Sequence, residues 1–393
     1  MNGTFGGGRF FPAVVLVLVW LCFPFHASAE YLQFGSDIFV NMPASWQVDG
    51  IEETKFSAVN RAGEAYLLVK YTGGGEFDEI GPMYDYYLGE LQAESLGRTG
   101  FSYSGTAAEV GTIRFPHEGR PHTGYLLCID TLRIDLVAVA FAGEENFSTY
   151  QDMLLSALDS LSIGENGLMS PGPISQSVSP YPDPDREMFS IRYGETDIPV
   201  TMSRRAMKAS QKLIEREARV LVAYAGTPYA EEAWQRYYRI IYRDIYRRCR
   251  PIYGALQQYL RPDELSKREI AEELLRWVQG FEYRRLATVS DCLTPLQAAV
   301  ENAGDCDSRG LLLTIILHYY GIDAILMVSG AYAHSMTGVD VPGRGARFEY
   351  NGTAYLVAET TDQVEIGLID QAMADPSGWI GVDFINTRIL SGE

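Results

Sequence analysis

Two hydrophobic periods share this chain unequally. In the first 160 residues, "DIFVNMP" (37–43), "AYLLVKY" (65–71) and "LRIDLVAVAFA" (132–142) are short runs rich in Val, Ile, Phe and Tyr, and they predict strands. Two segments among them carry the helical period instead. "FDEIGPMYDYYLGELQA" places Ile80, Met83, Tyr84, Tyr87, Leu88 and Leu91 on one stripe. "NFSTYQDMLLSALDSL" does the same with Phe147, Tyr150, Leu154, Leu158 and Leu161, with Asn146 in the N-cap position. Strands, a helix, more strands and a closing helix predict an α+β layered domain over 30–163.

After residue 163 the pattern breaks. Residues 164–185, "GENGLMSPGPISQSVSPYPDPD", hold five prolines among serines and glycines and predict a semi-extended linker. From Arg186 to the end at 393 a second domain is expected, starting with a hairpin in "REMFSIRYGETDIPVTM". A helical lead-in follows, over about 200–283. Within it, Ser266 and Glu269 form a capping box before Ile270, Leu274 and Val278. "EEAWQRYYRIIYRDIYRRCRP" sets Arg236, Arg239, Arg243, Arg247 and Arg250 at spacings of three and four, with Trp234, Tyr238, Ile241 and Ile245 on another face. Such a stripe suits an anionic envelope component, a lipid surface or a glycan. Equally, it suits a solvated face, or one docked on the acidic remainder of the same chain.

Composition narrows the class. With 393 residues, 47% hydrophobic and 21% charged, the chain is long enough for two domains and reads as globular. Its formal net charge of −19 argues against nucleic acid as a partner. Residues 1–29 have the form of an export signal: one arginine (Arg9), the apolar "FFPAVVLVLVWLCF", and Ala27-Ser28-Ala29 before a cut at Ala29–Glu30. The apolar run is short for a membrane span, so an exported, periplasmic or secreted protein without a span after cleavage is expected. Beyond the signal, Cys128, Cys249, Cys292 and Cys306 are too few for a disulfide scaffold.

One of these cysteines is oddly placed. In "ENAGDCDSRGLLLTIILHYYGID" (301–323), Cys306 stands where a loop becomes an almost wholly apolar helix that Gly321 can end. In a first helical turn, unpaired amides and the helix dipole favour a thiolate, and a backbone N–H is available to an oxyanion. Asp305 and Asp307 oppose that charge, so a cationic partner is required. Of the five histidines, His26 belongs to the signal, and His117 and His122 flank a turn in the first domain. No acids or cysteines join those two as metal ligands. His318 lies twelve residues along the same helix, ~18 Å from the thiol. His334 remains, opening the strand-like "HSMTGVDV". After it, Asn351-Gly352 marks a hairpin, and the returning strand carries Glu359 near its end, placed to meet His334 across an antiparallel ladder.

"AGDCDSRGLLLTIILHYYGIDAILMV", "AYAHSMTGV" and "AYLVAETT", in that order, resemble the transglutaminase-like, papain-type superfamily over about residues 265–370. The resemblance implies Cys306 as nucleophile, His334 as general base and acid, and Glu359 as the orienting acid. Two departures stand out: the third member is usually aspartate, and Ser335-Met336 replaces an aromatic that often follows the histidine. "WVQGFEY" resembles the family's segment upstream of the cysteine and implies Gln279 as an oxyanion donor. Residues 30–163 resemble the PsbP-like fold, in "FVNMPASW" and "FSTYQDMLLSALDSL". The expectation is an exported cysteine peptidase or amidase acting on a protein or peptide through a thioester, without metal or cofactor. Its alternatives are a crosslinking acyltransferase, an inactive binding module or a structural envelope protein. In an oxidising compartment Cys292, fourteen residues upstream, is a candidate disulfide partner that would block Cys306.

Overall fold

A computed structural model describes residues 31–35 and 37–384; the expected export segment and its cut lie outside them. The fold is mixed α/β, built on a seven-stranded and a five-stranded antiparallel sheet with helices on their faces.

The larger sheet runs in the order 47–51, 55–59, 65–73, 134–143, 120–130, 106–117, 94–103. Helix Phe147–Asp159 covers one face and helix Ile80–Glu90 the other. The central strand Ile134–Gly143 shows why residues 136–142 are an unbroken apolar run. Leu136, Ala138, Ala140 and Ala142 enter the core under the first helix, while Val137, Val139 and Phe141 enter the core under the second. Asn146 takes the N-cap position of helix Phe147–Asp159, but its side chain makes no capping hydrogen bond.

In the C-terminal half, the smaller sheet runs 347–350, 353–358, 334–339, 324–329, 380–382. Asn351 and Gly352 form the expected two-residue turn, both at positive φ (48° and 81°), between paired Tyr350 and Thr353. Helix Cys306–Tyr319 lies between the strands 324–329 and 334–339 and the helices Lys267–Gln279, Pro295–Glu301 and Ala230–Tyr246. Neighbours on every side explain why it is apolar all round. The Ser266–Glu269 capping box forms, with both reciprocal bonds in place.

Two expectations need correction. Residues 164–185 are not a semi-extended linker: they fold into a turn (Glu165–Met169) and a short helix (Pro173–Val178) wedged between the halves. Gln176 there is fully buried, accepting from Ser104 N–H at 2.8 Å and donating to the Pro171 carbonyl at 2.7 Å. Nor is the arginine stripe an outward surface over most of its length. Arg236 donates to the Asn41 carbonyl, Ser156 and Glu217, and Arg243 donates to the carbonyls of Asp159, Leu161, Gly167 and Ser170. Arg239 binds Asp383. The stripe docks on the chain's own carbonyls and carboxylates, which the sequence pattern left open as an alternative.

Candidate functional site

Cys306 is the first residue of its helix and is 2% exposed. Asp305 is the N-cap, its carboxylate accepting from Ser308 N–H at 2.9 Å and Ser308 Oγ at 2.7 Å. This local arrangement fixes the start of the helix, and with it the sulfur. Burial, reinforced by Asp307, pushes the Asp305 carboxyl up to about 7, and burial also raises Asp307. The two acids that oppose a thiolate in the sequence are therefore pushed toward their neutral forms in the fold.

His334 opens its strand directly after Ala333, a non-glycine residue at φ +49°. Antiparallel pairing of Thr337 with Ala358 brings the next strand's end beside it, and Glu359 follows one residue past that pair, diagonal to His334. The side chain spans the diagonal: His334 Nε2 lies 2.7 Å from Glu359 Oε2. Cys306 also interacts with the imidazole. Burial alone would lower the His334 pKa, but bonding to Cys306 and Glu359 outweighs it and raises the group to about 10. The Glu359 carboxyl, which burial would raise, is held below its usual range by His334 and by Thr361. Thr361 secures the other oxygen, donating from N–H at 2.7 Å and Oγ1 at 2.6 Å.

Of the sequence-derived residues, Cys306, His334 and Glu359 come together. Gln279 is buried nearby, but both its amide hydrogens are spent on carbonyls, Glu359 O at 2.8 Å and Val364 O at 2.9 Å. It braces the Glu359 segment and has no hydrogen left for an oxyanion, which corrects that expectation. The backbone N–H of Cys306, at the helix start, is the donor the local geometry offers instead. His318 is buried at the far end of the helix between Tyr242 Oη (2.7 Å) and the Ala324 carbonyl (2.9 Å), and burial lowers it to about 4. His117 and His122 belong to an aromatic cluster with Tyr66, Phe115 and Phe141. Cys292 and Cys306 are both free thiols, with Cys292 Sγ 3.9 Å from Tyr237 Oη.

Three further residues shape the site. Arg309, 1% exposed, donates to the carbonyls of Gly304 (2.9 Å), Phe281 (2.8 Å) and Thr360 (3.1 Å), tying together the segments that carry Cys306 and Glu359. A lone arginine in an apolar helix was its signal in the sequence. Trp379 sets its ring edge-on to His334, centroids 6.3 Å apart, and supplies from a distant segment an aromatic neighbour that Ser335-Met336 does not. Tyr283, half exposed, stacks under the Arg309 guanidinium at 5.7 Å. Tyr283 closes the "WVQGFEY" segment quoted above, while nothing in the local sequence marks Trp379.

No family model and no curated protein sequence matches the chain. Among solved structures, a cyanobacterial PsbP from Synechocystis aligns at 8% identity over 35% of this chain and 95% of its own, with a TM-score of 0.29. LpqN of Mycobacterium tuberculosis, a protein involved in cell envelope biogenesis, aligns at 13% identity over 34% and 90%, TM-score 0.28. A Bacteroides thetaiotaomicron structure aligns at 11% identity over 84% and 89%, TM-score 0.27. These likenesses are slight, and nothing about activity follows from them.

Proposed function

We propose that this chain is an exported cysteine hydrolase of the transglutaminase-like type, a peptidase or amidase working through Cys306, His334 and Glu359. The observation that carries the proposal is the His334 imidazole, bonded to the buried Glu359 carboxylate at 2.7 Å and interacting with Cys306 at the start of its helix. An imidazolium so held favours the thiolate beside it.

In the proposed reaction, Cys306 sulfur attacks the carbonyl carbon of an amide, and the carbonyl oxygen becomes an oxyanion facing the Cys306 N–H. The carbon–nitrogen bond breaks as His334 gives its proton to the departing amine, leaving a thioester. Neutral His334 then takes a proton from water, hydroxide attacks the thioester, and the carboxylic acid leaves as the sulfur takes back its negative charge. Glu359 keeps the imidazole oriented and its charged form stable throughout. The finer fold assignment, a PsbP-like α/β sandwich followed by a papain-type core, belongs to the same proposal. It is supported by the helix on each face of the larger sheet and by the buried helix that presents Cys306. The export pattern of residues 1–29 supports placement in the cell envelope. Among the described residues, no helix is long and apolar enough to cross a membrane.

The test is the pH dependence of Cys306 alkylation by iodoacetamide, comparing the full chain with its His334→Ala variant. The reading expects a rate already level near neutral pH in the wild type, and a loss of that level in the variant. Identical profiles that rise only through the ordinary thiol range, around pH 8.5, would leave a binding module in place of an enzyme.

A further inference from the structure

The arginine stripe ends differently from the way it begins. Beyond the buried clamp of Arg236, Arg239 and Arg243, a cavity of about 560 Å³ is lined by Arg247, Arg248 and Arg250, together with Arg186, Tyr181 and Ser203. Among the described residues, Arg186, Arg247 and Arg250 form no ion pair. Arg186 reaches only the Asp183 carbonyl at 3.3 Å, and Arg247 only the carbonyl and side-chain oxygen of Asn166, at 3.2 and 3.5 Å.

Arg248 is buried: its Nη atoms donate to Ser179 at 3.4 and 3.2 Å, and its Nε–H has no hydrogen-bond acceptor. The nearest carboxylate to that nitrogen, Asp244 at 3.8 Å, is already bonded by Ser175 and Ser210. Asp183 also lines the cavity, but Arg205 grips both its oxygens, at 2.7 and 3.0 Å, and Ser179 and Ser203 add to them. Among the described residues, Arg186, Arg247 and Arg250 thus line the cavity without a carboxylate partner, and its one acid is bound by Arg205. Helix Arg204–Val222 also begins at its wall and adds the positive end of its dipole.

We propose that this cavity binds a multiply charged oxyanion of the phosphate type. In a protein of net charge −19, a cavity lined by arginines with no free carboxylate is a local positive field that favours an anion. Planar guanidinium forks match the paired oxygens of a phosphate, and several of them call for more than the single charge of a carboxylate. The volume exceeds that of inorganic phosphate, leaving space for the organic part of a phosphate ester or a phosphorylated headgroup. The site does not depend on the chemistry at Cys306.

Calorimetric titration of the full chain with inorganic pyrophosphate at low salt tests the proposal, with the double variant Arg247→Gln/Arg250→Gln alongside. Neither side chain is buried, and matching thermal melts would show that the variant is folded. Saturable binding is expected in the wild type, weaker in the variant by about tenfold or more for each charge-assisted bond lost. Sedimentation with vesicles containing phosphatidic acid, whose headgroup is a phosphate monoester, separates the two sources. Capture that is lost in the variant and competed by pyrophosphate indicates a headgroup, whereas pyrophosphate binding without capture indicates a soluble ester. Absence of binding to either probe at millimolar pyrophosphate, or binding that the variant leaves unchanged, overturns the site.

Discussion

His334 bonds the Glu359 carboxylate through Nε2 and also interacts with Cys306, so its charge is set by those two groups more than by its partial burial. With the folded pKa raised to about 10, the imidazolium's contribution to stability is fully present below the unfolded value of about 6.5. It is lost as pH climbs from there through about 10. Glu359 has the opposite sign: its depressed carboxyl contributes above the usual carboxylate range and loses that contribution as pH falls through its folded value. Glu359→Gln should therefore be less stable than wild type around neutral pH, with the gap narrowing toward pH ~10 as the wild-type imidazole deprotonates. Urea unfolding of both proteins across that range measures it, and a constant gap would deny the ion pair. Under the proposed reaction, the same variant should lose turnover while substrate binding changes little, because the carboxylate would act through the imidazole.

At the scale of elements, the site depends on how a helix start and two strand ends are delivered to one place. The Asp305 cap fixes the helix, Arg309 ties the cap segment to the strand-end segment, and the Asn351-Gly352 turn sets the register that leaves Glu359 diagonal to His334. Gly352 sits at φ +81° with open space where a Cβ would go, so a substitution there meets only the backbone penalty. Gly352→Ala should cost about 1–2 kcal/mol in thermal or urea unfolding without moving the site, a price confined to the left-handed conformation. The turn was legible in the sequence because Asn-Gly reports backbone geometry directly. The strands 94–103, 106–117 and 120–130 were far less so, since their partners are other strands of the sheet rather than residues a few positions away.

For the whole molecule, the decisive feature is the charged seam between the halves. Arg236 bonds Glu217 within its own half and reaches the Asn41 carbonyl and Ser156 in the other; Arg216 joins Glu217 to Asp159. All these groups are buried, so removing one leaves another unpaired away from water. Arg236→Ala should cost about 3–5 kcal/mol and loosen the two sheets from each other. Unfolding followed by tryptophan fluorescence and by far-ultraviolet circular dichroism is expected to coincide in wild type and to separate in the variant. Coincident curves with little loss of stability would mean that the seam is incidental.

Local chemistry made the helix beginning at Cys306, the capping box, the hairpin turns and the ordered Cys306, His334 and Glu359 segments readable from the sequence, because each is fixed by residues a few positions apart. Only the tertiary structure decided the rest. Trp379 and Tyr283 reach the site from distant segments, and Gln279 is consumed by carbonyls whose positions depend on the sheet. The proline-rich segment is ordered because both halves bury it, and one arginine stripe divides into an internal clamp and an open cavity wall. A sequence states which charges and donors a chain carries; whether each meets water, a carbonyl or a carboxylate depends on which distant backbone folds against it.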